Sequence, residues 1–121
     1  NKIHVIQGGL FEDEHPLMLA PIAHENTKSS GILHVRGTIS MARYEPGTAT
    51  SEFFICVEDE PELDAGGNRN IDKAGFAAFG RVVSGMDIVD KIHQSPANEQ
   101  YLNPRIKIEE IKLISKFKSY I

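Results

Sequence analysis

The chain has 121 residues, 40% of them hydrophobic and 25% charged, which suits one globular domain with enough apolar material for a core that needs no disulfide or metal staple. Thirteen Lys+Arg against seventeen Asp+Glu leave a net charge of −4, and without a basic stripe this excludes nucleic acid as a main partner. The single cysteine, Cys56, excludes an internal disulfide and a cysteine-rich zinc ribbon, and no apolar run approaches the roughly eighteen residues of a membrane span.

Short runs rich in β-branched and aromatic residues, separated by Gly/Pro/Asn clusters, predict an antiparallel β domain. Ile3 to Gln7 reads as a strand ending at Gly8-Gly9. An irregular stretch follows, containing Glu12-Asp13-Glu14-His15-Pro16 and Pro21. Leu33 to Val35 and Gly37 to Ala42 read as short strands, Arg43 to Thr50 as a turn-rich loop, and Ser51 to Val57 as the strongest strand. A second loop from Glu58 to Gly75 carries Pro61 and Gly66-Gly67, and Phe76 to Val83 is another strand. One helix is expected after Ser84, with Ser84 as its cap, Asp87 three residues on, and Met86, Val89, Ile92 and His93 on one face. It should end before Pro96. Arg105 to Ile114 reads as a last strand whose apolar positions change parity near Glu109-Glu110, as a bulge would make them. Residues 115–121 read as a loose tail. No repeat and no second domain boundary is visible, so residues 1–121 are expected to form a single domain.

Chemistry that needs nucleophiles, metals or phosphate loops finds no constellation. The five histidines show no i, i+4 pair, and Glu12, Glu14, His15 and His24 lie at irregular spacing in a polar loop that reads as a solvated acidic segment, so no metal is expected. Ser40, Ser51 and Cys56 lack a nucleophile elbow, and Cys56 inside an apolar strand reads as a small buried side chain. Gly8-Gly9 and Gly66-Gly67 open no helix, so no phosphate cradle is predicted. An enzyme built from these residues would work by shape and hydrogen bonds rather than by moving a proton, and no cofactor is implied.

Three segments in register carry a resemblance: Val5-Ile6-Gln7-Gly8-Gly9; Gly37-Thr38-Ile39-Ser40-Met41-Ala42 with Ser51-Glu52-Phe53-Phe54-Ile55; and Phe76-Ala77-Ala78-Phe79-Gly80-Arg81-Val82-Val83-Ser84-Gly85-Met86-Asp87. Together they resemble the cyclophilin peptidyl-prolyl isomerases, and most of all the bacterial branch, from residue 3 to about Leu113. The loop between Leu63 and Phe76 is longer than usual. The resemblance implies a mainly β fold, a closed eight-stranded antiparallel barrel capped by two helices, of which this chain supplies the later strands and the second helix. It implies acceleration of rotation about X-Pro bonds in folding proteins, with proline-containing peptides and unfolded proteins as partners, cyclosporin-type compounds as further ligands, and a monomeric state. A non-catalytic proline-peptide module using the same groove is the alternative, and a purely structural β domain the third.

By the same resemblance Phe54 is the floor of a proline pocket, Val5 and Leu63 are apolar walls, and Phe76 is the far wall. Gln7 is the amide that hydrogen-bonds the substrate backbone and supports a catalytic Arg. Arg43 matches a residue whose main chain pairs with the peptide, with Ala42 and Tyr44 beside it near a secondary pocket, and His4 stands on the rim. Without the resemblance Val5, Phe54, Leu63 and Phe76 read as plain core, and Gln7 as a strand-end polar residue. His34 and His93 read as structural. Glu52 replaces the usual Gln and is expected to pair with the catalytic Arg, while Glu62 sits where some members have Trp. That Arg belongs to a motif upstream of the Ile-Gln-Gly-Gly strand, and no residue here matches it, since Lys2 lacks the guanidinium fork. The chain opens Asn1-Lys2-Ile3, so a longer protein is expected, with residues upstream deciding between periplasm, cell envelope and cytoplasm.

Overall fold

The computed structural model describes residues 2–10 and 15–114. Its main sheet contains β1 (Val5–Gly8), β2 (Thr38–Met41), β3 (Phe53–Cys56) and β4 (Ala77–Arg81), all antiparallel, in the order β1-β3-β2-β4. The fold is mainly β, as the resemblance implies. Among the described residues the paired strands run from β1 at one end to β4 at the other.

Register decides which side chains share a face. Gln7 lies opposite Phe54, Val5 opposite Cys56, Ser40 opposite Phe54 and Ala78 opposite Ser40, so these six point to one side. Phe54, Cys56, Ser40 and Ala78 are all buried there. The other face carries Ile6, Ile39, Met41, Phe53 and Ile55, each half-buried. Between Ile39 and Ser40 the register with β4 slips by one residue, which leaves Phe79 unpaired and exposed.

Two helices flank the sheet. The single turn α1 (Thr27–Ser30) has Asn26 as its cap, whose Oδ1 accepts the Ser29 N–H at 2.9 Å, and Gly31 closes it in the left-handed region at φ 75°. Helix α2 (Met86–His93) buries Val89 against the sheet, on the face the spacing predicts. Its N-cap, however, is Gly85 at φ 100°, whose carbonyl accepts the Ile88 and Val89 N–H groups, and Ser84 makes no cap. A residue with free left-handed geometry reaches the first turn where a serine would be strained. Arg36 holds the helix from outside with a bidentate pair to Asp90, both contacts at 2.8 Å, and draws that carboxyl below the usual carboxylate range.

Two predicted strands are absent. Leu33 to Val35 is irregular and leads into a turn at Arg36-Gly37, where the Thr38 hydroxyl donates to the Leu33 carbonyl at 2.8 Å and accepts from the Val35 N–H at 3.0 Å. One side chain there takes the backbone groups a ladder would have used. Residues 105–114 have neither strand nor bulge, and Ile111 and Leu113 are largely exposed. β-branched content creates a strand only beside a partner, and no described strand pairs with this segment. A two-stranded ribbon of β5 (Ala97–Asn98) and β6 (Tyr101–Leu102), missed in the sequence, precedes it. The expected tail, 115–121, lies outside the described residues, as do Glu12 and Glu14.

Candidate active site

Phe54 sits on the central strand β3, between Gln7 of β1 and Ser40 of β2. The loop after β3 then returns as a 3-10 turn, Pro61–Leu63, which brings Leu63 to full burial. The Phe76 N–H donates to the Leu63 carbonyl at 2.9 Å, so the last residue before β4 is placed beside it. Phe54, Leu63, Phe76 and Cys56 form one buried cluster, with Ile3, Val5 and Ala42 packed against it. The rings of Phe54 and Phe76 meet edge to face at 5.6 Å.

Above this cluster opens a cavity of about 640 Å³. Nine of the ten residues assigned from the resemblance line it: Val5, Gln7, Ala42, Arg43, Tyr44, Glu52, Phe54, Leu63 and Phe76. Met18, Thr48, Asn70 and Arg69, which no motif marks, join them from the loops. Gly9 supports the rim. At φ 143° it passes so close to Ser51 and Glu52 that any Cβ would overlap the Ser51 carbonyl and the Glu52 carboxylate.

His4 is the exception. It does not line the cavity, because strand alternation turns it away from Val5 and Gln7. Its ring lies against Glu58, Glu60 and His93 instead. The rim position expected for it is therefore corrected.

The Arg43 side chain makes contacts of its own. Its side chain is only 2% exposed and its guanidinium carbon lies 4.9 Å above the Phe76 ring. Nη1 and Nη2 donate to the two oxygens of Asp72, each at 3.0 Å, and Nε donates to the Gly75 carbonyl at 3.0 Å. These bonds, and the Ala74 N–H on the same carboxylate, hold Asp72 below the usual carboxylate range. The extended loop before β4 is thereby tied to the cavity wall.

Behind the floor lies a buried chain of polar groups. His34 stacks on Phe54 with centroids 5.9 Å apart, its Nδ1 is 2.8 Å from Asp64 Oδ1, and its Nε2 is 2.8 Å from Ser40 Oγ. An ionised carboxylate only accepts, so Nδ1 carries the proton and Nε2 accepts from the Ser40 hydroxyl. An Asp-His-Ser order of this kind could activate a nucleophile, but Ser40 is 0% exposed and no substrate reaches it. The group is a brace for the pocket floor, and burial lowers the pKa of His34 against the opposing pull of Asp64.

Cys56 is fully buried, and burial, with smaller contributions from Glu60, Asp64 and Asp59, raises its thiol pKa to about 12. His15 Nδ1 accepts the Leu17 N–H and His24 Nε2 donates to the Ala74 carbonyl, so both rings make contacts within the loops. Among the described residues no helix is long and apolar enough to cross a membrane.

Comparison with known proteins agrees with this geometry. Residues 1–113 match the family model described as cyclophilin type peptidyl-prolyl cis-trans isomerase/CLD. The chain is 40% identical over 114 residues to a peptidyl-prolyl cis-trans isomerase of Acinetobacter baylyi, covering 92% of this chain and 57% of that protein. It is 43% identical over 91 residues to peptidyl-prolyl cis-trans isomerase A of Dickeya dadantii, covering 74% and 46%. Against peptidyl-prolyl cis-trans isomerase B of Escherichia coli it is 39% identical over 89 residues, covering 73% and 54%. The chain spans about half the length of the curated relatives it matches. By its sequence and by the groove built on Phe54, the chain belongs to the cyclophilin-type peptidyl-prolyl cis-trans isomerase family.

Proposed function

We propose that the protein accelerates cis-trans rotation about X-Pro bonds in flexible or unfolded protein segments, acting as a single domain. An amide resists rotation by about 18–20 kcal/mol because of its partial double bond. A catalyst need only bind the twisted amide better than either planar form, so neither a nucleophile nor a proton carrier is required. An apolar floor can hold the proline ring while polar rim groups hold the flanking chain. The observation that carries the reading is the convergence of Val5, Phe54, Leu63 and Phe76 under a rim bearing Gln7 and Glu52.

In this reading the Gln7 amide, on an exposed strand end opposite Phe54, orients the peptide and steadies a cationic group that favours the pyramidal nitrogen. The Arg43 main chain pairs with the substrate backbone, and Ala42 and Tyr44 border the neighbouring pocket. Glu52 positions the cation by ion pairing, so Glu52→Ala should lower turnover of a proline peptide, and unchanged turnover would remove that role.

The direct test is exchange spectroscopy on a short Ala-Pro peptide with the full-length protein. Faster cis-trans exchange that disappears in Phe54→Ala, at a temperature where the variant is folded, is the expected result. Peptide binding without faster exchange would refute catalysis and leave a binding module.

A further inference from the structure

We propose that His4, Glu58 and Glu60 form a binding site for one divalent cation of the Zn2+ class, on the side of β1 away from the groove. The three residues come from two chain segments that meet only in the fold. His4 precedes β1, and Glu58 and Glu60 follow β3. The Val57 N–H donates to the His4 carbonyl at 2.8 Å and the His4 N–H donates to Glu60 Oε1 at 2.7 Å, which sets the backbone between them. His4 Nδ1 then stands 3.3 Å from Glu58 Oε2 and 3.4 Å from Glu60 Oε1, and the three ligand atoms all lie within 4.8 Å of one another.

Those separations lie within the roughly 4 Å of an ion pair and also suit a shared cation. An ordinary N–H···O hydrogen bond spans about 2.7–3.2 Å, so both contacts are long for one. The edge of a tetrahedron whose centre-to-ligand bonds are those of Zn2+ to imidazole and carboxylate is about 3.3–3.5 Å. The two edges from Nδ1 have that length. An imidazole with two carboxylates also suits Zn2+ better than Mg2+ or Ca2+, which favour all-oxygen shells.

Arg36, the cation whose field includes Glu58, is engaged chiefly elsewhere: its N–H donates to Asp59 at 2.8 Å and its guanidinium grips Asp90. Two carboxylates and a neutral imidazole would be neutralised by one dication. Glu60 is nearly buried while Glu58 is 63% exposed, so an ion could enter from the Glu58 side with water completing its shell. The His93 ring, from the last turn of α2, stands alongside with its centroid 5.9 Å from that of His4. A bound ion would pin the start of β1, three residues before Gln7, to the turn after β3. It would touch nothing in the groove, so its effect falls on the strand and not on a reacting amide.

The test is calorimetric titration of Zn2+ into the metal-free full-length protein, with Co2+ as an optical probe. Expected are one saturable site, the strong visible bands of tetrahedral Co2+, and no comparable response to Mg2+. Glu58→Gln, at an exposed position that folding does not depend on, should weaken binding by about tenfold or more, and His4→Gln should abolish it. Absence of saturable Zn2+ binding, equal binding of Mg2+, or binding unchanged in both variants would overturn the site. None of these outcomes bears on the proline pocket.

Discussion

Ser40→Ala probes the brace beneath the pocket floor. The substitution removes one oxygen from a site with 0% exposure and leaves His34 Nε2, previously 2.8 Å from that oxygen, without a donor. A buried polar atom deprived of its partner costs about 1–3 kcal/mol. That is a large part of a domain stability of about 5–15 kcal/mol. Urea denaturation at pH 7.5 should record the loss, and a double-mutant cycle with His34→Gln should give strongly non-additive values, because both changes break one contact. The acid limb of the stability profile should report on His34. The folded pKa of His34 lies below its usual value, chiefly through burial, so below about pH 6.5 the unfolded chain binds the proton first. Stability should be whole above about pH 6.5. It should fall as pH drops through the window down to the lowered folded value, by up to about 1.4 kcal/mol per pH unit. His34→Gln should flatten that slope by up to one proton. A Ser40→Ala cost under about 0.5 kcal/mol, or an NMR titration placing His34 above 6.5 in the folded protein, would refute the assignment of a neutral, doubly bonded imidazole.

Phe54→Ala should cost about 3–5 kcal/mol of stability, the range for a buried phenylalanine, whereas Phe54→Leu should stay folded and lose peptide affinity, as thermal unfolding and peptide titration would show. Arg43→Ala leaves the Gly75 carbonyl without its guanidinium donors and bares the Phe76 ring, so a loss of about 1–3 kcal/mol is expected, with faster hydrogen exchange at the Phe76 amide as a local readout. Arg43→Lys should rescue little of it, since an ammonium cannot reproduce the fork on Asp72. Cys56, with a thiol pKa near 12 and no exposure, should resist alkylation at pH 8 until denaturant is added; rapid labelling of the native protein would contradict its burial.

The difference between what the sequence discloses and what it hides follows the range of the interactions concerned. Val5, Gln7 and Phe54 are legible because a strand's alternation is local, and the motifs that carry them set their register. The same alternation, applied strictly, turns His4 to the far face, and the family resemblance alone placed it on the rim. Local pattern was the better guide there. Leu33 to Val35 misled because apolar, β-branched text resembles a strand, whereas the competing hydroxyl sits outside the run, on Thr38. Residues 105–114 misled for another reason: alternation shows which positions would face a sheet without supplying the neighbouring strand. The Arg43 clamp on Asp72 and Gly75 was invisible because it joins residues 29 and 32 positions apart, across a loop whose path no local preference dictates. The brace on Phe54 is partly local, since His34 and Ser40 are 6 apart, but its third member, Asp64, is 30 residues from His34. Side chains that line the pocket could therefore be named only through the family resemblance that short, local motifs carry. Those that hold the walls in place emerged only once the fold brought distant segments into contact, and it is on these that the shape of the groove depends.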